Sequence, residues 1–297
     1  MGGLSPSALG HGAMLLFSAL VAGSFSLGVL VADGISPIAL NAARFWLAAA
    51  VLGLVVVLGA GVPYGAWRAA WRYAVLGGLF GAYFVLMFEG LKTAAPVSAA
   101  AVFTLTPIMT ALISLSLIGQ RTTPRMATAL VIGGCGALWV IFRGDISAAL
   151  AFDIGRGEAI YFFGCAAHAL YTPMVRRLNR GEPALVFSLG TLLGGGVVLT
   201  LVGVREIAET EWVTLPGLVW IVLVYLAVFA SAASVWLLQT AALRIPAAKV
   251  MAYTYLVPSW VLVWEVALGA ALPSPVVYGG IGLTVIALLL LLRDDGP

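Results

Sequence analysis

Residues Glu89–Gly119, EGLKTAAPVSAAAVFTLTPIMTALISLSLIG, decide the fold, because a related stretch occurs again later in the chain. They align without a gap with residues Thr240–Ala270, TAALRIPAAKVMAYTYLVPSWVLVWEVALGA, at an offset of 151 residues. In this alignment Pro107 lies over Pro258, and both prolines lie within long apolar runs. The alignment indicates that the chain contains an internal duplication.

Matches at an offset of 146 residues extend this duplication in both directions. Pro37 lies over Pro183, and the run Gly133–Gly136 lies over Gly279–Gly282. We therefore predict two repeats and a linker, at residues 10–142, 157–292 and 143–156.

The composition is that of a membrane protein. Of 297 residues, 62% are apolar and only 9% are charged, whereas a soluble domain has about 25% charged residues. Intrinsic disorder needs low hydrophobicity, so it is excluded as well. The two cysteines, Cys135 and Cys165, show no metal-ligand spacing. We therefore expect no disulfide framework, no metal site and no cofactor.

The charged residues fall in clusters that separate long apolar runs. A helix needs about 20 apolar residues to cross a bilayer. A transmembrane β-barrel would show strands that alternate in polarity, and runs such as Leu283–Leu292, LTVIALLLLL, do not alternate. The sequence predicts an all-α integral membrane protein with ten transmembrane helices, at residues 10–31, 38–60, 72–90, 95–118, 125–142, 157–176, 184–203, 216–239, 247–269 and 274–292.

Five spans per repeat is an odd number, so the second repeat should enter the membrane in the opposite sense to the first. Inverted repeats of this kind are common in secondary transporters, where the substrate binds near the midplane between the repeats. Ten Lys and Arg residues fall on one predicted side and four on the other. This bias predicts that both termini are cytoplasmic and that Arg121 and Arg205 lie on opposite sides of the bilayer.

Three features in this order resemble a known family. Pro37 is followed seven residues later by Arg44, the run Ala94–Gly119 follows, and the last span is rich in glycine. Together they resemble the EamA-type ten-helix branch of the drug/metabolite transporter superfamily. The resemblance implies a transporter of the bacterial inner membrane, and within the superfamily the aromatic-rich chain is most similar to exporters of aromatic amino acids and methyl viologen. One departure is that Gln120 and Ala271 occupy positions where family members often have Glu.

The candidate substrate-binding residues are polar or aromatic groups placed inside predicted spans. Ionisable groups in hydrocarbon are costly and mark functional sites by default. Arg44 is a candidate carboxylate clamp, with snorkelling to the headgroups or a half-to-half anchor as the alternatives. His168 is the deepest titratable group, and ordinary hydrogen-bonded packing is its alternative. The full set of candidates is Arg44, Tyr83, Phe103, Thr106, Thr110, Tyr161, His168, Tyr253 and Trp260.

These candidates fall on helix faces by their spacing of three or four residues. Phe103, Thr106 and Thr110 share a face in the fourth span, although hydroxyls also bond their own backbone or join helices. Tyr253 and Trp260 form a stripe in the ninth span. Uncharged hydroxyls and rings suit a zwitterion or a flat cation that carries an aromatic group.

Proline and glycine residues predict the moving parts and the close contacts. Pro107 and Pro258 each remove a backbone hydrogen bond and should kink their helices, either as pivots or as static bends. Glycine pairs permit close approach of helices in membranes. The predicted packing glycines are Gly133, Gly134, Gly279 and Gly280.

These features favour a secondary transporter that exports small amphipathic metabolites, in particular aromatic amino acids, by alternating access and without ion coupling. Coupling usually recruits buried carboxylates, and only Glu265 and Glu89 lie near enough. The alternative is a proton-coupled exporter of drugs or organic cations. The sequence lacks the motifs of membrane enzymes, and the loops are too short for a scaffold. The expected partners are a small-molecule substrate and the lipid bilayer, with no nucleic acid.

Overall fold

A computed structural model describes residues 5–59, 61–63, 65–94, 96–151 and 154–292. These residues form helices joined by short loops and contain no strand. Two predicted span limits, at Ala60 and Ala95, lie outside the described residues. The same is true of residues 152 and 153 in the predicted linker. The helices are α1 (Pro6–Gly28), α2 (Pro37–Leu58), α3 (Trp71–Leu91), α4 (Pro96–Phe103), α5 (Thr106–Ile118), α6 (Pro124–Ile141), α7 (Ile146–Leu150), α8 (Arg156–Leu178), α9 (Ala184–Val202), α10 (Val204–Glu209), α11 (Gly217–Ala227), α12 (Ser234–Ala242), α13 (Ala247–Ala252), α14 (Val257–Ala267) and α15 (Pro275–Leu292).

Within the described part of the chain, nine helical segments are long and apolar enough to cross a membrane. These segments include the joined pairs α11–α12 and α13–α14. Helix α8 has 23 residues but is less apolar, because it contains His168, two tyrosines and charged residues at both ends. The chain is therefore an integral membrane protein, and the tenth crossing, by α8, stays a prediction.

Two segments are interrupted next to the matched prolines. Helix α4 ends at Phe103, and α5 begins at Thr106 with Pro107 in its first turn. In the second repeat a 3₁₀ turn at Tyr253–Leu256 separates α13 from α14, which has Pro258 in its first turn. Proline has no N–H to donate, so it fits the first turn of a new helix better than a helix interior. The prolines therefore restart these helices after a break.

Helices that the repeat places over each other pack directly and run antiparallel. Along α6 and α15, a Cβ on Gly133 would approach Ala287 and one on Gly136 would approach Thr284, while Trp139 Nε1 donates to the Val276 carbonyl at 2.9 Å. Residue numbers thus rise along α6 as they fall along α15. Helices α2 and α9 show the same order.

Most of the remaining packing joins one repeat to the other. Helix α3 of the first repeat packs on α8 and α9 of the second. The reciprocal contacts are made by α11 and α12, which pack on α2 and α1. The contacts of α3 with the second repeat therefore have counterparts in which the repeats are exchanged.

The bundle has two ends, which we name the arginine face and the opposite face. The arginine face holds the loops near Arg72, Arg177 and Arg244, where α1 begins. The opposite face holds the loops around residues 29–36, 142–145 and 203–216. Pro107 and Pro258 lie between these ends.

Candidate functional site

A cluster of aromatic rings surrounds His168 at the centre of the bundle. Helix α3 supplies Phe80 and Tyr83, α4 supplies Phe103, and α8 supplies Tyr161 and His168 itself. The imidazole stacks on Tyr83 with 4.4 Å between ring centroids and lies nearly parallel to Phe103 at 6.0 Å. The structure thus brings together four of the predicted residues, which are Tyr83, Phe103, Tyr161 and His168.

His168 is buried without a polar partner. Its side chain is 1% exposed, and neither ring nitrogen has a hydrogen-bond partner among the described residues. An unpaired polar group in a protein interior is unfavourable and calls for an explanation. The imidazole can donate from one nitrogen and accept at the other, so it offers two unused hydrogen-bonding atoms inside the ring cluster.

Arg44 lies behind the ring cluster as a fully buried cation. Its guanidinium carbon is 3.6 Å from the centre of the Phe84 ring, and that ring is 4.8 Å from Tyr83. Arg44 Nε donates to Ser231 Oγ at 2.5 Å and Nη2 donates to the Ala230 carbonyl at 2.7 Å. All its partners are neutral, so no described carboxylate compensates its charge.

The two residues of the second repeat that accept from Arg44, Ala230 and Ser231, lie in a segment of unusual backbone geometry. Residues Val228–Ala233, between α11 and α12, form a π-helix. A π-helix changes the hydrogen-bond register and is often found at functional sites. The arrangement places Arg44 as an anchor between α2 and the second repeat.

A hydrogen-bonded network extends the cluster on the second repeat and was missed by the sequence reasoning. Gln239 Nε2 donates to Tyr171 Oη at 2.8 Å and to Thr191 Oγ1 at 2.9 Å, and Gln239 Oε1 accepts from Ser188 at 2.7 Å. Tyr171 in turn lies 5.0 Å from Phe80 between ring centroids. The available signal was that Gln239 is the single amide side chain in the uncharged run 212–243.

Thr106 and Thr110 lie on the face of α5 that packs on α8. Both are fully buried, and Thr110 Oγ1 is 3.4 Å from the Ala169 carbonyl, next to His168. Tyr253 and Trp260 have a different position, because both contact α1. Tyr253 Oη is 2.9 Å from His11 Nδ1, and Trp260 Nε1 donates to Ser18 Oγ at 3.1 Å.

The predicted packing glycines differ in how closely they are approached. A Cβ on Gly133 would lie 2.5 Å from the Tyr255 ring, and one on Gly280 would lie 2.7 Å from the Gly136 carbonyl. For Gly134 and Gly279 the nearest atoms would be at 3.5 Å and 3.8 Å, which are ordinary contacts. Gly280 therefore lies at the close crossing of α6 and α15, whereas the nearest neighbour of Gly133 is Tyr255, in the turn between α13 and α14.

A pocket of about 220 Å³ opens beside the ring cluster toward the opposite face. It lies between α1, α6 and α14, and Phe103 of the ring cluster forms part of its wall. Phe25, also in the wall, packs on Phe103 with 5.6 Å between centroids. Arg143 and Glu265 line the pocket, and these two described residues form no ion pair with each other.

The arginine face contains a buried ion pair between Arg72, the first residue of a predicted span, and Glu182, in the loop before α9. Glu182 Oε1 lies 2.5 Å from Arg72 Nη2, and Glu182 Oε2 accepts from the Arg180 backbone N–H. Burial of Glu182 disfavours its charged form, but the hydrogen bonds and the charge of Arg72 outweigh that effect. The pKa of Glu182 is therefore lower than usual.

The fold and this interior define an all-helical membrane protein with a weakly charged aromatic centre. The sequence profile of the EamA-like transporter family matches the chain twice, over residues 8–142 and 155–293. The chain belongs to the EamA-like transporter family. It is a transporter and not an enzyme.

Two relatives and one solved structure show what this chain is similar to. An uncharacterized transporter YyaM of Bacillus subtilis is 28% identical over 271 residues, which cover 90% of this chain and 88% of that protein. The aromatic amino acid exporter YddG of Ancylobacter novellus is 33% identical over 136 residues, 45% of each chain. A protein of known crystal structure superimposes on this chain with a TM-score of 0.74 and 23% sequence identity. The match covers 97% of this chain and 96% of the other chain, and it shows the fold alone.

Proposed function

We propose that this transporter exports small amphipathic metabolites, in particular aromatic amino acids, by alternating access and without ion coupling. The observation that carries the proposal is the ring cluster around His168, whose imidazole nitrogens are unused. Aromatic faces stack on an aromatic substrate and attract its ammonium group. The name of the Ancylobacter novellus relative, which matches part of the chain, supports the same substrate class.

The polar groups near the rings suit the amino acid end of such a substrate. His168 can hydrogen-bond a carboxylate or an ammonium group, and the hydroxyls of Thr106 and Thr110 lie on the adjoining helix. Arg44 supplies a positive charge without a carboxylate partner behind Phe84. The hydrogen-bond partners of Arg44 are uncharged, so they do not compensate its positive charge. This charge favours binding of a substrate carboxylate near the ring cluster and disfavours binding of a cation.

We further propose ten membrane crossings in two inverted repeats, at residues 10–142 and 157–292, joined by a linker at 143–156. The antiparallel contacts of α6 with α15 and of α2 with α9 support the inversion. The excess of Lys and Arg supports a cytoplasmic location for the arginine face and both termini, and we propose that the protein lies in a bacterial inner membrane. The single-cysteine variants Arg121→Cys and Arg205→Cys test this orientation, because a membrane-impermeant reagent should label them from opposite sides of the bilayer. Labelling of both from the same side would contradict it.

Counterflow of radiolabelled phenylalanine in proteoliposomes tests the substrate class. We expect saturable counterflow that tryptophan and tyrosine inhibit. Phe103→Leu should lower the flux about tenfold, since it removes the ring that lies parallel to the imidazole and is 2% exposed. Phe163→Leu is the matched control, because this ring is 65% exposed on α8. Absence of saturable flux for any amino acid or organic cation would defeat the proposal.

The alternative is a proton-coupled exporter of drugs or organic cations. The imidazole of His168 favours it, since both of its nitrogens are unpaired among the described residues and a histidine side chain can carry a proton. The two proposals differ in a measurable way. An imposed pH gradient, with no amino acid gradient, should drive net substrate movement only in the coupled exporter.

A further inference from the structure

Another pocket, of about 460 Å³, lies on the arginine face where α5 and α8 end. The arginine pocket, as we name it, is lined by Ile118, Gly119, Gln120, Arg121, Arg176 and Arg177. No described carboxylate forms an ion pair with any of its three arginines. Glu182, a carboxylate on the same face, is bound to Arg72 instead. The arginine pocket therefore concentrates positive charge without a described anion.

The helix ends at this pocket balance only part of its charge. Arg177 Nη1 donates to the Leu117 carbonyl at 2.7 Å, and Arg176 Nε donates to the Ala242 carbonyl at 2.6 Å. These carbonyls belong to the last turns of α5 and α12. A helix C-terminus carries about half a negative charge. Together with the end of α8, three helix ends therefore offset only about 1.5 of the three positive charges.

The repeat shows that helix packing does not require these arginines. Helix α14 packs on α1 as α5 packs on α8. The positions that correspond to the three arginines at this other pair of helices are occupied by Leu30, Val31 and Leu272. The same kind of helix pair is thus formed with aliphatic side chains at these positions. The three arginines at the arginine face call for a different explanation.

An exposed apolar strip on α5 leads to the arginine pocket. Ile108, Leu112 and Leu115 recur every three or four residues, so they lie on one side of the helix, and they are 42–65% exposed. Gly119 continues this spacing and lines the pocket. From Ile108 to the end of α5 the strip is about 15 Å long, at 1.5 Å per residue. Positive charge at one end of an exposed apolar strip matches an anionic amphiphile.

We propose that the arginine pocket binds the phosphate headgroup of an anionic phospholipid, with an acyl chain along the exposed strip of α5. Guanidinium groups form paired hydrogen bonds with phosphate oxygens. Basic pockets between transmembrane helices bind such headgroups. A free phosphate ion would meet the arginines but not the strip, so the lipid fits the whole surface better. The headgroup contacts the ends of both α5 and α8 and should stabilise the folded protein.

Lipid titration of the purified, delipidated protein in dodecyl maltoside, followed by native mass spectrometry, tests this site. Dioleoyl phosphatidylglycerol should bind about tenfold more tightly than dioleoyl phosphatidylcholine, whose headgroup carries its own cation but whose acyl chains are the same. High salt should reduce this preference, because it screens the arginines. Phosphatidylglycerol should also raise the melting temperature more than phosphatidylcholine does.

Two arginine variants separate the pocket from the general charge of this face. Arg121→Gln should weaken phosphatidylglycerol binding about fivefold, and Arg121→Lys, which keeps the charge, should weaken it less. Arg180→Gln is the matched control, because Arg180 is also exposed on the arginine face but does not line the pocket. Its affinity should stay close to that of the parent protein. The melting temperature of Arg121→Gln without lipid should also stay unchanged, since the residue is exposed.

Three results would overturn the proposal. Equal affinity for the two phospholipids would show that the charge of the headgroup is not recognised. Equal losses in Arg121→Gln and Arg180→Gln would assign binding to the overall charge of the face. Displacement of phosphatidylglycerol by an equal concentration of inorganic phosphate would assign the pocket to a soluble anion and not to a lipid.

Discussion

Replacing Gly136 with alanine should destabilise the protein, whereas the same change at Gly282 should not. The two glycines are repeat counterparts at the offset of 146 and lie on α6 and α15. A Cβ on Gly136 would lie 2.8 Å from the Gly280 carbonyl oxygen and 2.9 Å from the Thr284 nitrogen. A Cβ on Gly282 would have no neighbour within 4 Å.

The magnitude follows from these distances. Ordinary contact begins at 3.4 Å, and the atoms that Gly136→Ala would meet include backbone atoms, which cannot rotate away. The helices must therefore move apart by roughly half an ångström or more, and such overpacking costs about 1–3 kcal/mol. Alanine also favours a helix over glycine by up to about 1 kcal/mol. We expect Gly136→Ala to lose about 1–2 kcal/mol and Gly282→Ala to be neutral or slightly more stable.

Unfolding in mixed detergent micelles, followed by tryptophan fluorescence or circular dichroism, measures this difference. Gly282→Ala controls for the removal of a glycine from a transmembrane helix of the same repeat position. If both variants unfold at the same denaturant fraction, the close crossing of α6 and α15 does not exist as described. A large loss in Gly282→Ala alone would contradict the packing of α15.

Three further changes test the charged groups. Arg44→Lys should lower the melting temperature and should reduce the rate of phenylalanine counterflow about tenfold. One ammonium group cannot donate to Ser231 and to the Ala230 carbonyl in the geometry of the guanidinium group. Unchanged flux would refute this role. Glu182→Gln should remove stability near neutral pH. The pKa of Glu182 is lowered in the folded state, so its contribution exists above the unfolded pKa of about 4.3 and is lost as the pH falls through the folded pKa. Melting curves of the two proteins should therefore converge once the pH falls below the folded pKa of Glu182. Glu265→Gln should leave counterflow largely intact, and loss of flux with binding retained would indicate ion coupling instead.

The family and the transport function were predictable because they depend on patterns that lie along the chain. The gapless match of Glu89–Gly119 with Thr240–Ala270 and the low charge content identified a duplicated membrane protein. Within the site, Tyr83, Phe103, Tyr161 and His168 were selected one span at a time, and the structure brings them together. Their roles in binding stay predictions.

Other parts of the site could not be predicted from spacing. Tyr253 and Trp260 lie on one helix face, but the sequence does not indicate which neighbouring helix that face contacts. The structure places both residues against α1. Gln239 acquires its importance only through Tyr171 and Thr191, which lie far away in sequence. Gly134 and Gly279 look like Gly133 and Gly280 in sequence, but the rotation of the helices leaves room beside them.

The amino-acid sequence alone determined that the chain resides in lipid, that it consists of two related halves and that two of its spans are irregular next to Pro107 and Pro258. Those properties follow from composition, periodicity and proline chemistry, which act locally. The tertiary structure alone decided which helix faces meet: the rings that stack on His168, the hydrogen bonds of Arg44 to a π-helix, and the pocket between α1, α6 and α14. Helices that are apolar on nearly every side carry little record of their neighbours, so their contacts are fixed only when the bundle packs.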